Sequence, residues 1–370
     1  MRSEVLLYVY GMICLGMIGF NLVYHMVLRR RERGAGFRSR GLLRRVARQA
    51  ERLRAGMQVE KRHLRYLRRS LSNVNALVAL DRVLTHELEP CDAGRYVRAI
   101  QPVLLELAIL YRKKEAVQCA YFAYFAARHQ PAGLLMLESM QEVFVTYLGL
   151  DSLYCHVNAL QALYASGTAE SVVRAVALQS RTGAVMNDKI LTDGLLSFAG
   201  DHRRLEVLLW ERFERFDVRT QLAVLNYTRF RTGEWRERIF SIMTDAGRDK
   251  ELRLSAIRYF GRYVYEPARK WLLDFLADRD PLLWEYAAVS AAGLAQYAGG
   301  DVVRALIGAL HSGNWYVRYN AAVSLEAHQV AYSDLSELLD GSDRYAREMI
   351  LYRVESRLMD QEAAREVSGI

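Results

Sequence analysis

The sequence predicts an all-α protein built as an α-solenoid of about eight helical pairs. Three observations predict this fold. Only five prolines interrupt 370 residues, apolar residues recur at helical rather than strand spacings, and a similar motif returns about every thirty residues. The solenoid follows because a single helical pair can bury its apolar stripe only against neighbouring pairs.

The N-terminus, residues 1–28, predicts one transmembrane helix. Residues 5–28 carry no formal charge apart from the titratable His25, and such a helix covers about 36 Å against a hydrocarbon core of about 30 Å. The basic residues that follow predict a plasma (inner) membrane protein with its N-terminus outside and its C-terminal part cytoplasmic. The face suited to docking on another transmembrane helix comprises Gly11, Cys14, Ile18, Asn21 and His25.

Residues 29–90 predict a basic amphipathic linker helix, because apolar residues recur from Leu43 to Val78 at steps of three and four. Three hypotheses remain open. The helix is a coiled-coil stalk that forms a homo-oligomer through residues 43–78, or it lies on anionic lipid headgroups, or it packs on the solenoid. In the lipid hypothesis the headgroup-facing residues are Arg29, Arg30, Arg31, Arg33, Arg44, Arg45 and Arg48.

The positive charge is local. The chain has a formal net charge of +9, but residues 29–70 alone contain sixteen Arg and Lys against three Glu, so the remainder is net negative. Nucleic-acid binding depends on clustered basic residues along the binding surface. The sequence therefore predicts no nucleic-acid partner for residues 91–370, the predicted solenoid.

The repeated motif is clearest in SGNWYVRYNAAVSLEAH, residues 312–328. Alignment on Arg318 defines a reference position in each repeat. The reference residues are Arg219, Arg253, Trp284, Arg318 and Arg347. Second helices are predicted to begin near residues 115, 151, 189, 218, 251, 282, 316 and 344.

An acid or amide precedes most of these second helices and is predicted to cap them. Such side chains accept hydrogen bonds from the first free amides of a helix. The predicted caps are Asp188, Asp249, Asp280, Asn314 and Asp343. The arginine at the reference position, four residues on, is expected to pair with the acid of its own or a neighbouring repeat.

The D/N-x-x-V/L-R-x-x-A-A-x-x-L core of these units resembles the HEAT-repeat family, particularly its short bacterial form. The resemblance is strong over residues 247–357 and weak over residues 93–246. Tetratricopeptide repeats have a similar length, but their Trp, Leu-Gly and late Pro pattern is absent. The resemblance implies an α-solenoid whose second helices line a protein-binding groove.

Enzymatic motifs are absent from the sequence. It contains no G-x-S-x-G, no phosphate-binding Gly-Lys-Ser/Thr loop, no G-x-G-x-x-G and no H-E-x-x-H, and its only His-Glu pair is His86–Glu87. We therefore predict that the protein is not an enzyme and binds no metal or cofactor.

Tyrosine is abundant, with 22 residues, and several lie on predicted second helices. Because Tyr is favoured in protein interfaces, the candidates for partner binding are Tyr259, Tyr263, Tyr316 and Tyr319. The predicted function is a membrane-anchored cytoplasmic scaffold for a protein partner in a membrane complex, such as a polysaccharide-synthesis or secretion machine. The alternatives are an adaptor for anionic lipid surfaces and a HEAT-like enzyme or small-ligand receptor.

Overall fold

The computed structural model describes residues 2–129, 136–182, 186–330, 341–353 and 356. Before residue 41, side chains are described only at residues 10, 12–13, 15–24 and 26. All regular secondary structure within these ranges is helical, which confirms the predicted all-α class.

Seventeen α-helices have both ends within the described residues. They are α1 (Arg2–Arg54), α2 (Lys61–Ser70), α3 (Val74–His86), α4 (Pro90–Tyr111), α5 (Ala116–Arg128), α6 (Glu138–Tyr147), α7 (Leu153–Ser166), α8 (Ala169–Thr182), α9 (Asp188–Leu196), α10 (His202–Arg212), α11 (Val218–Arg231), α12 (Arg236–Thr244), α13 (Lys250–Phe260), α14 (Glu266–Ala277), α15 (Trp284–Gly293), α16 (Gly300–Ala309) and α17 (Trp315–Ala327). Short 3-10 turns lie at Phe213–Arg215, Pro281–Leu283 and Leu294–Gln296. Residues 344–353 are also helical.

The chain forms two compact units, in each of which alternate helices stack on one another. The first unit comprises residues 1–186 and 197–208, and the second comprises residues 187–196 and 209–370. In the first, α3, α5 and α7 form one row, while α2, α4, α6 and α8 form another. In the second, the row α9, α11, α13, α15 and α17 lies beside α14 stacked on α16. This arrangement fits an α-solenoid.

The predicted starts of the eight second helices are confirmed. They correspond to α5, α7, α9, α11, α13, α15 with its preceding 3-10 turn, α17 and the helical residues 344–353. Asp249, Asp280 and Asn314 each accept a hydrogen bond from the backbone N–H two residues on, at 2.8–2.9 Å, and Asp343 does so at 3.0 Å. The prediction for Asp188 is wrong. It is the first residue of α9, and Asn187 accepts from the Lys189 N–H instead.

Among the described residues, three reference arginines donate to backbone carbonyls instead of pairing with a capping acid as predicted. The Nε of Arg253 donates to the Met243 carbonyl at 3.1 Å, and Nη1 of Arg318 donates to the Ser312 carbonyl at 2.6 Å. Arg347 Nη1 reaches the Gly341 carbonyl at 3.2 Å in the same way. Met243 lies in the last turn of α12, whereas Ser312 and Gly341 lie just before the next helix. In each case an arginine one turn into a helix provides a hydrogen bond to a carbonyl of the segment that precedes it.

Buried tyrosines tie each repeat to its neighbour. The hydroxyl of Tyr111 donates to the Leu71 carbonyl at 2.8 Å, and that of Tyr147 donates to the Ala108 carbonyl at 2.7 Å. In the second unit Tyr297 donates to Phe260 at 3.2 Å. We call these contacts the tyrosine clasps. Each contributes about 1 kcal/mol net, because the buried hydroxyl would otherwise lack an acceptor.

The prediction of a transmembrane helix over residues 5–28 is wrong. Among the described residues, no helix is both long enough and apolar enough to cross a membrane. The apolar residues are the first part of α1, which continues without a break into the arginine-rich segment. Among the predicted docking residues, Ile18 and Asn21 are exposed. Outside the described side chains lie Gly11, Cys14, His25, Arg29, Arg30, Arg31 and Arg33.

The predicted linker helix is divided into three helices that pack within the chain. A turn between α1 and α2 contains Gly56 at φ +72°, a backbone conformation that glycine adopts without strain. The end of α1 then packs on α3 and α4, and α2 packs on α4. Apolar residues of the predicted seam are buried here, namely Val46, Ala50, Leu67 and Leu71. The third hypothesis placed one long helix on the solenoid, whereas here three shorter segments pack within the first unit.

One close approach of backbones gives a test of the stacking in the second unit. A Cβ added to Gly261 at the end of α13 would lie 2.9 Å from the Cα of Gly293 in α15. We therefore expect Gly261→Ala to lower the free energy of unfolding by about 1–3 kcal/mol, because the helices must separate. Gly308→Ala in α16 is the matched control, since a Cβ there meets nothing within 4 Å. It should be neutral or raise stability by about 0.5–1 kcal/mol. Urea denaturation followed by circular dichroism measures both, and equal effects would contradict the stacking.

Candidate protein-binding surface

Four aromatic rings pack against one another at the starts of α15 and α17 in the second unit. The rings of Trp284 and Tyr316 stack with centroids 5.5 Å apart. Trp315 meets Tyr316 edge-on at 5.2 Å and stacks on Tyr319 at 4.9 Å. We call Trp284, Trp315, Tyr316 and Tyr319 the aromatic ladder.

The ladder is open to solvent. Trp315 is 45% exposed and Tyr316 is 57% exposed. Two further large side chains flank the ladder and are more exposed still, Leu282 at 80% and Tyr345 at 66%. Single exposed apolar residues are ordinary, but a group of adjoining ones marks an interaction site. This surface is therefore the strongest candidate for a binding site in the second unit.

The repeat register explains why these side chains meet. Leu282, Tyr316 and Tyr345 each stand two residues before a reference position, so they occupy equivalent places in three consecutive repeats. In α13 the same place, two residues after the helix cap, holds Glu251, and in the first unit it holds Val117 and Tyr154. Charged residues at the start of a helix favour solvent, whereas large apolar residues there cost hydration. In the second unit, large apolar residues occupy this place in the last three consecutive repeats.

Arginines hold parts of the surface in place. The guanidinium of Arg318 lies 5.3 Å from the ring centre of Tyr345 while it donates to the Ser312 carbonyl. Arg353 lies 5.3 Å from the ring centre of Tyr319 and forms an ion pair with Glu326 at 2.9 Å. A cation over an aromatic face is attracted to the ring quadrupole. The rings therefore present a pre-organised surface, which reduces the entropy lost on binding.

A cleft of about 560 Å³ adjoins the ladder through Trp284, between the ends of α14 and α16 and the starts of α15 and α17. Polar groups at its rim include Asp278, Asp280 and His311. The His311 Nδ1 is hydrogen-bonded to Asp343 at 2.6 Å, and this bond holds the pKa of the Asp343 carboxyl below its ordinary value. Since Asp280 caps a helix and His311 is bonded to a cap, these polar groups serve the turns.

The four tyrosines predicted to bind a partner fall into two groups. Tyr316 and Tyr319 are members of the ladder. Tyr259 is 0% exposed and packs against Phe260 and Tyr263, so it belongs to the core and its assignment was wrong. Tyr263 is half-buried. The prediction missed the surface residues Leu282, Trp284, Trp315 and Tyr345, although their repeat position carried the signal.

Among the remaining predicted candidates, Arg44, Arg45 and Arg48 are exposed in the first unit. Arg45 lies over the ring of Tyr66, with its guanidinium carbon 4.5 Å from the ring centre. Within the described part of the chain, no group of three or more His, Cys, Asp or Glu side chains is arranged to hold a metal ion.

No protein-family model matches the chain, and no curated protein matches it either. The HEAT resemblance therefore stays a prediction carried by the repeated motif, and the geometry of the surface carries the functional argument.

The two groups of tyrosines should differ in how much their substitution lowers the stability of the protein. Tyr259→Ala should lower the free energy of unfolding by about 3–5 kcal/mol, because it empties a packed site. Tyr316→Ala should change it by less than about 1 kcal/mol, because most of that ring faces water. Thermal unfolding of both variants measures the difference. A Tyr316→Ala variant as unstable as Tyr259→Ala would show that the ladder is part of the core.

Proposed function

We propose that this protein is a helical-repeat scaffold that binds a protein partner through the aromatic ladder of its second unit. The single observation that carries the proposal is the set of four packed rings, of which Trp315 and Tyr316 are exposed, together with the exposed Leu282 and Tyr345. Trp and Tyr offer large contact areas with few rotatable bonds and dominate the binding energy of protein interfaces.

The exposure of the ladder favours a macromolecular partner over a small ligand. Pockets for small molecules enclose most of the ligand's surface. Trp315 and Tyr316 instead project about half their surface outward, so only an opposing surface can cover them together. The proposal accordingly names a protein that presents an apolar segment.

The repeat geometry sets the length of that segment. Stacked helices lie about 8–10 Å apart, so equivalent positions on three successive repeats form a row of roughly 16–20 Å. Leu282, Tyr316 and Tyr345 occupy such positions. An extended strand rises about 3.3 Å per residue, so a segment of about six residues would contact the whole row.

The repeats themselves support a HEAT-like affiliation as part of the proposal. The helices α13 and α17 each begin with an acid or amide cap, and each carries an arginine four residues after that cap. These features determine where each second helix begins. A membrane anchor is not part of the proposal.

Site-specific photocrosslinking in the native organism tests the proposal. A benzophenone-bearing phenylalanine analogue would replace Tyr316 or Tyr345 in turn, and matched exposed positions in the first unit, Val117 and Tyr154, would serve as controls. We expect one protein to be captured from both surface positions and from neither control, because the partner covers only the ladder.

A substitution in the ladder tests whether its rings bind the captured protein. Trp315→Ser should weaken binding by about tenfold or more, as for an interface hot spot, with an unchanged melting temperature. Absence of capture at both surface positions, or capture of the same proteins at the controls, would contradict the proposed function.

A further inference from the structure

A second site, independent of the ladder, lies in the first unit where α1 turns back on α2. The turn at Gly56 brings the two helices together around a cleft of about 720 Å³. The backbone N–H of Glu60 donates to the Gln49 side chain at 3.0 Å, which ties the start of α2 to α1. The cleft is lined by Arg45, Arg48, Gln49, Glu60, Arg62, His63, Arg65, Tyr66, Arg69 and Ser70.

The walls of this cleft are strongly basic. Five arginines line it against one acid, Glu60, which lies 3.7 Å from Arg48. The neighbouring His63 is buried and hydrogen-bonded to the Tyr96 hydroxyl at 2.8 Å. Burial, reinforced by the positive charge of Arg45, lowers the pKa of His63 to about 4. The imidazole is therefore neutral at neutral pH, and the arginines carry the charge.

The same two helices show a clear difference between arginines that face α4 and arginines that face the cleft. Arg54 forms an ion pair with Asp92, and Arg68 forms one with Glu106. Within the described part of the chain, three of the five cleft arginines, Arg62, Arg65 and Arg69, form no ion pair with an acid. The arginines that face α4 are thus ion-paired within the fold, whereas Arg62, Arg65 and Arg69 offer their charge to an anion in the cleft.

Guanidinium groups recognise phosphate oxygens with paired, charge-assisted hydrogen bonds. A cleft of this volume falls in the range of small-molecule sites, which is about 300–1,000 Å³. We propose that the cleft between α1 and α2 binds an anion that carries two or more phosphate groups. The anion is either a free phosphorylated molecule or the headgroup of an anionic lipid.

The binding test uses the full chain and inorganic tripolyphosphate as the probe. Calorimetric titration at about 0.15 M salt limits weak surface attraction by screening. Binding should weaken by about tenfold or more in the double variant Arg62→Gln/Arg65→Gln, because two charge-assisted contacts are lost. Arg69→Gln provides a second variant in the same cleft and should weaken binding in the same direction.

The matched control is Arg82→Gln/Arg98→Gln, which removes two exposed arginines of the first unit that do not line the cleft. It should leave the affinity within about twofold, since screened charges outside the cleft contribute little. All four forms should have the same melting temperature. No binding of tripolyphosphate or of anionic vesicles, or an equal loss in the control, would overturn the proposal.

A vesicle assay separates the two sources of phosphate. The full chain would be mixed with phosphatidylcholine vesicles with and without cardiolipin, whose headgroup carries two phosphates. A lipid headgroup is supported if the chain binds the anionic vesicles, if tripolyphosphate competes with that binding, and if the cleft variants do not bind. Binding of tripolyphosphate alone supports a free phosphorylated molecule.

Discussion

The stacking of each helix on its counterpart one repeat away is the constraint on which the rest of the structure depends. No helical pair can bury its apolar stripe by itself, so each repeat is completed by its neighbours. In the second unit this brings Gly261 against Gly293 and places the Ser324 hydroxyl 2.7 Å from the Ala291 carbonyl, to which it donates. The tyrosine clasps add a hydrogen bond at three such contacts. Side chains on the stacking faces are consequently buried between helices, where they stabilise the fold and are not available to a partner.

Function is therefore left to the ends of helices and to the turns. A capping side chain determines where a second helix begins. The position of that first residue determines which side chains lie in the first turn, before the residues that pack on the neighbouring helix. The Asn314 cap, for example, places Trp315 and Tyr316 in the first turn of α17, outside the buried row. The same logic applies in the first unit, where the turn at Gly56 exposes one side of α2 to a cleft while His63 and Leu67 are buried. Both candidate sites are consequences of where helices start.

The starts of the second helices could be predicted from the sequence, but which side chains are buried and which are exposed could not. Caps such as Asp249 and Asn314 act within a few residues, so their pattern located the second helices correctly. Tyr259 and Tyr316 both lie on second helices and look alike in sequence, but one is buried and one is exposed because facing depends on register against the neighbouring helices. The apolar seam from Leu43 to Val78 has the same spacing on both sides of the turn at Gly56. Its periodicity therefore did not reveal that the chain reverses there, or which helices the seam packs against. The apolar N-terminal run predicted a membrane span that the described residues do not support.

In the second unit the stacking faces hold the fold, while the ladder is proposed to bind a partner. Amide hydrogen exchange of the full chain, alone and bound to the protein captured at Tyr316, distinguishes these two roles. Bound chain should show slower exchange in peptides that contain residues 282–284, 315–319 and 345–352, with unchanged exchange in α13. Unchanged exchange in those three peptides, with protection elsewhere in the second unit, would contradict the account.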